Sequence, residues 1–66
     1  MKVLGVDPGS RAAGWAVVSF DGPPRLVAAG VLRPPTSTPF AERLRALHDG
    51  LLEVAGRERP DEAAVE

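Results

Sequence analysis

An apolar strand that ends on a carboxylate and runs directly into a Gly/Pro turn leaves a chain few ways to fold. Here that stretch is Val3-Leu4-Gly5-Val6-Asp7-Pro8-Gly9-Ser10-Arg11-Ala12-Ala13-Gly14. Val3, Leu4 and Val6 show no polar alternation, the pattern of a strand covered on both faces. Asp7 is then the first charge at the point where a central strand leaves the sheet. Pro8 fixes its own φ and biases Asp7 toward extended geometry, so the carboxylate belongs to the last strand residue. Gly9 and Gly14 permit positive φ and close approach to the backbone. Such an Asp either opens the turn, as Asp often does, or carries chemistry at the sheet end.

Sixty-six residues make at most one small domain, a size that buries only about 60% of its unfolded surface. The chain has no cysteine, so neither a disulfide framework nor a Cys zinc site staples it. A formal charge of −1 carries no basic signature for nucleic acid and, over so short a span, does not argue against it. No apolar run approaches the roughly 18 residues of a membrane span, and no signal-peptide pattern opens the chain. A soluble, cytoplasmic protein is the expectation.

Residues 2–7 read as the first strand and residues 14–20 as the second, rich in β-type residues. Asp21-Gly22-Pro23-Pro24 returns the chain as a hairpin. Residues 25–33 form a third strand, weakened by alanines and Gly30 and open to a bulge. Pro34 and Pro35 end the ladder. Thr38 and Pro39 then open a helix, with Thr38 as N-cap and Pro39 at the first helical position. Phe40, Leu44, Leu47, Leu51 and Val54 make one apolar stripe. Glu42, Arg43, Arg45, Asp49 and Glu53 occupy the other faces. Gly50 weakens the helix by roughly 1 kcal/mol relative to Ala, and Gly56 is the expected stop. After Pro60 and Asp61, residues 62–66 begin a fourth strand. A chain that stops on such a strand reads as the N-terminal part of a longer protein.

Strand two returns antiparallel to strand one, and strand three antiparallel to strand two. The helix crosses back, so strand four runs parallel to strand three through a right-handed crossover. The free edge of strand one accepts it, giving an α/β mixed sheet of order 3-2-1-4 with one crossover helix. Asp7 and Glu66 then lie at neighbouring strand ends about 4.8 Å apart in the ladder direction. Two adjacent carboxylates repel, which stability alone does not justify. A divalent cation between them removes the repulsion, and Mg²⁺ is usually held by carboxylates, waters and phosphates.

Gly5-Val6-Asp7-Pro8-Gly9-Ser10-Arg11 with Gly14, and Pro60-Asp61-Glu62-Ala63-Ala64-Val65-Glu66, resemble the RuvC family of Holliday-junction resolvases, within the ribonuclease-H-like superfamily. Glu42-Arg43-Leu44, Leu47-His48 and Leu51 also follow that family's first helix. Asp-x-Gly alone is shared with actin-like ATPases and YqgF-type proteins; the two motifs at this spacing, with the helix, are specific. The resemblance implies that residues 1–66 are the N-terminal part of a single RNase-H-like nuclease domain. It implies a Mg²⁺-dependent, homodimeric endonuclease of recombination and repair that nicks opposing strands of four-way DNA and works with the branch-migration proteins RuvA and RuvB.

By the same resemblance Asp7 and Glu66 are catalytic metal ligands. Asp7 would bridge two ions and Glu66 hold one of them, with two further acidic ligands beyond residue 66. Residues 1–66 alone are then expected to be inactive. Two ions about 4 Å apart suit phosphodiester hydrolysis, since they acidify a water and stabilise the leaving oxyanion. The alternatives are a YqgF-like RNA-processing nuclease, an actin-like nucleotide-binding fold and a non-catalytic binding module. The Pro-Gly-Ser turn and residues 60–66 disfavour the first. The second gives no role to Glu66.

His48 fits a helix-surface or packing role better than catalysis. Asp49, Asp61 and Glu62 read as solvated positions, as do Arg43 and Arg45 on the helix. Ser10 and Arg11 either touch a phosphate or simply shield the turn. Trp15 reads as packing.

Overall fold

The computed structural model describes residues 1–9 and 11–66; Ser10 and the role considered for it lie outside the described residues. Strands β1 (Lys2–Asp7), β2 (Ala13–Ser19) and β3 (Arg25–Leu32) are followed by helix α1 (Phe40–Glu58) and strand β4 (Glu62–Val65). The sheet order is β3-β2-β1-β4. β1 pairs antiparallel with β2 and parallel with β4, while β3 pairs antiparallel with β2. This is the expected mixed sheet, with β1 in its interior.

Alternation along the strands sorts the side chains. Leu4, Val6 and Val17 cluster with Val54 of α1, and Trp15 and Leu51 pack against them. This small layer between sheet and helix is the core, and Val17 at its centre is fully buried. Residues of opposite parity on β1, among them Gly5 and Asp7, therefore face away from α1.

The apolar stripe of α1 is buried unevenly. Leu47 and Val54 are buried, whereas Phe40 and Leu44 are about half exposed and border a cleft that reaches Pro8 and Gly9. The helix begins one residue later than its sequence signals suggest. Pro39 is the N-cap and no side chain caps it, because the Thr38 hydroxyl donates instead to the Pro35 carbonyl at 2.7 Å. Nor does Gly56 end the helix. It continues to Glu58, and Arg59 takes the left-handed conformation at φ 52°, ψ 57°, donating its N–H to the Ala55 carbonyl at 2.8 Å. The cause is Pro60, whose ring disfavours a right-handed helical residue before it and so places the reversal at Arg59.

Two glycines are explained by close approach. A Cβ on Gly50 would lie 2.9 Å from Leu32 Cδ1, so the weak helix former lets α1 settle onto β3. On β3 the expected bulge is present: Val17 pairs with Ala28 and Val18 with Leu26, which leaves Val27 as the extra residue. Beside it, a Cβ on Gly30 would lie 2.8 Å from Trp15 Cζ2, and the Arg57 guanidinium sits 5.8 Å from the centre of the Trp15 ring. Gly30→Ala is expected to lower stability by about 1–3 kcal/mol through overpacking of a rigid indole. A lower thermal midpoint accompanied by a changed Trp15 fluorescence spectrum would register it, and an unchanged midpoint would show that Trp15 yields freely.

Candidate carboxylate site

β1 delivers Asp7 to the carboxyl end of the sheet. Across β2 its partner is Gly14, which adds no side chain beside it. On the other flank, β4 pairs Val6 with Val65, and the ladder continues through a 3.1 Å hydrogen bond from the Glu66 N–H to the Val6 carbonyl. Glu66 therefore stands next to Asp7 on the neighbouring strand. Because side chains alternate, both carboxylates belong to the face opposite α1.

That face is a shallow trough of about 520 Å³. Gly5, Gly14, Ala16 and Ala64 make its floor, with Asp7 and Glu66 at its end. No sequence motif marks the floor residues, although counting back by two from Asp7 and from Glu66 reaches Gly5 and Ala64. Asp7 and Glu66 are exposed. Among the described residues no hydrogen bond or ion pair engages either carboxylate. Two free, adjacent carboxylates are hard oxygen donors of the kind Mg²⁺ prefers, so the donor set fits a divalent cation. Among the described residues no third His, Asp or Glu joins them.

The remaining candidates lie elsewhere. His48 is exposed on α1, with Nδ1 3.2 Å from Asp49 Oδ1, and Asp49 also faces Arg45 at 3.6 Å. Arg45 and Glu62 are solvated as expected, and Arg11 is exposed. Arg43 is not simply solvated. It is half-buried, donates to the Thr38 carbonyl at 2.8 Å and lies 5.6 Å from the centre of the Phe40 ring. Asp61 is exposed but far from idle, since its carboxylate accepts the Lys2 N–H at 2.7 Å. Asp21 accepts hydrogen bonds from the N-terminal amine and the Ser19 hydroxyl. The ammonium's hydrogen bond and charge, then the Ser19 hydroxyl, hold the Asp21 carboxyl below its usual range.

Comparison with known proteins agrees with this fold. Residues 3–66 match the family model for the crossover junction endodeoxyribonuclease RuvC. The chain is 52% identical to that protein from Azorhizobium caulinodans and 51% identical to that from Paramagnetospirillum magneticum. All of this chain is matched in both cases, and it spans 40% of each relative's length. The Thermus thermophilus RuvC structure superposes with a TM-score of 0.86 at 36% identity, covering 98% of this chain and 42% of that one. T. thermophilus RuvC in complex with Holliday junction substrate gives 0.87 at 37% identity, covering 98% and 41%. A carboxylate-tipped central strand, a parallel neighbour that ends in a second carboxylate, and homology over nearly every residue place the chain in the RuvC family of crossover junction endodeoxyribonucleases.

Proposed function

We propose that the chain supplies two of the metal-holding carboxylates of a Mg²⁺-dependent endonuclease that resolves four-way DNA junctions. The observation that carries this reading is the placement of Asp7 and Glu66 side by side at the carboxyl ends of parallel strands, with no hydrogen bond or ion pair to either carboxylate among the described residues. Asp7 sits on an interior strand of the sheet, so its backbone is held from both sides. Such support is what a precisely located ligand needs. Glu66 follows directly from the β4 ladder. Gly5, Gly14 and Ala64 keep the floor low, which leaves room for a phosphodiester to approach the two acids.

When bound between such acids, divalent ions acidify a water and stabilise the leaving oxyanion. Carboxylates suit that task because they are hard, anionic oxygen donors. The intact protein is a homodimer in this reading, since resolving a junction takes two opposed nicks. It acts in the cytoplasm during recombination and repair, alongside RuvA and RuvB.

The test compares a four-way junction with a linear duplex of matched sequence, using the intact protein in Mg²⁺ and in a chelator. Paired nicks confined to the junction and abolished by the chelator are expected. Equal cutting of the duplex, or cutting that persists in the chelator, would overturn the proposal.

A further inference from the structure

β4 is short, and its side chains say little about where it should sit. All four of its residues are exposed, with Val65 at 69%, and its centre is Ala63-Ala64, two residues that are sterically alike. Register in a strand is normally fixed by a hydrophobic pattern pressed against a core. β4 presents almost none. Yet the register decides where Glu66 lies. A slip of one residue would turn its carboxylate to the α1 face, and a slip of two would move it about 7 Å along the ladder.

The specific contacts lie at the other end of the strand. Asp61 and Lys2 form a reciprocal pair. The Asp61 carboxylate accepts the Lys2 backbone N–H at 2.7 Å, and the Asp61 N–H donates to the Lys2 carbonyl at 2.9 Å. Lys2 Nζ then donates to the Glu58 carbonyl at 2.8 Å, tying the end of α1 to the same residue. Asp61 immediately precedes β4 and Lys2 opens β1, so the clasp sets the first rung. Val3 to Glu62 and Val6 to Val65 follow from it.

We propose that Asp61 is a positioning residue for the metal site, holding β4 in the register that brings Glu66 beside Asp7. The inference rests on the reading of those two acids as metal ligands. Asp61 acts from about 16 Å away along the strand, at about 3.3 Å per residue, and touches neither metal nor DNA. Its working group is a single acceptor oxygen, so charge is not required. Asn retains that oxygen and Ala does not.

The experiment uses the intact protein with Asp61→Ala, Asp61→Asn and, as a reference, Asp7→Asn. Two quantities are read: Mn²⁺ affinity without DNA, by calorimetry, and hydrogen exchange at the Glu66 amide. Asp61→Ala should weaken Mn²⁺ binding by about tenfold, in the range seen when an outer partner of a metal ligand is lost. It should also speed exchange at Glu66, while amides of the β1–β2 ladder stay protected. Asp61→Asn should restore both. Wild-type Mn²⁺ affinity and Glu66 protection in Asp61→Ala would overturn the inference. So would uniform loss of protection across the sheet, which marks a general stability role. If Asp7→Asn leaves Mn²⁺ affinity unchanged, the metal-site reading itself fails and the inference falls with it. If Asp7→Asn abolishes binding and Asp61→Ala does not weaken it, only the inference fails.

Discussion

Asp7→Asn in the intact protein is expected to abolish junction cleavage while leaving the fold and the DNA affinity in place. The carboxylate is exposed and has no partner among the described residues, so stability should move by no more than about 0.5 kcal/mol, as for surface changes away from special features. The sign should favour the variant slightly, because Glu66 loses a like-charged neighbour. Cleavage should fall by at least about a hundredfold, the upper range for losing even an outer partner of a metal ligand. Junction binding, measured in Ca²⁺, should persist, since affinity for DNA comes mainly from basic residues on phosphates. Cleavage of a labelled junction across a Mg²⁺ titration, with binding in parallel, checks both. Near wild-type cutting by Asp7→Asn would reduce Asp7 to a turn residue.

Val17→Asp should have the largest effect on the fold. Among the described residues Val17 is the one large side chain that is fully buried, and it clusters with Leu4, Val6 and Val54 between sheet and helix. The side chains clustered around it are apolar, so a carboxylate there must either enter the core charged or take up a proton. Both are costly. The loss should exceed about 4 kcal/mol, the scale reserved for unpaired buried charge, in a sheet–helix layer with few other buried side chains. Circular dichroism of the variant should show loss of the cooperative transition. A folded variant with a midpoint near wild type would mean that the Val17 site opens to water.

Much of this architecture was legible in the sequence, for reasons that differ between elements. Val3, Leu4 and Val6 with Pro8 declare an interior strand and its end. Asp21-Gly22-Pro23-Pro24 fixes a hairpin, and handedness then leaves strand four one free edge. These constraints alone place Asp7 and Glu66 at neighbouring strand ends. The helix ends depart from their sequence signals because local interactions compete. Thr38 spends its hydroxyl on Pro35, and Pro60 moves the left-handed residue from Gly56 to Arg59. Asp61 was hidden for another reason. Its partner is a backbone N–H at the far end of the chain, and no spacing rule reports such a contact. The trough floor was implicit in the period of two, but only once the register was known.

The pairing of β1 with β4 also dictates when the site can exist. Asp7 and Glu66 come from nearly opposite ends of these 66 residues, whereas β1, β2 and β3 join through short turns. Near-neighbour pairings close quickly and distant ones late, because loop-closure entropy delays them. A chain emerging from the ribosome can therefore complete its hairpins while the outer edge of β1 is still bare. Until β4 docks, that edge is a template for strands of other chains. Assembly of the two acids and covering of the β1 edge are the same event, so a molecule caught before it lacks the paired carboxylates and still carries that bare edge.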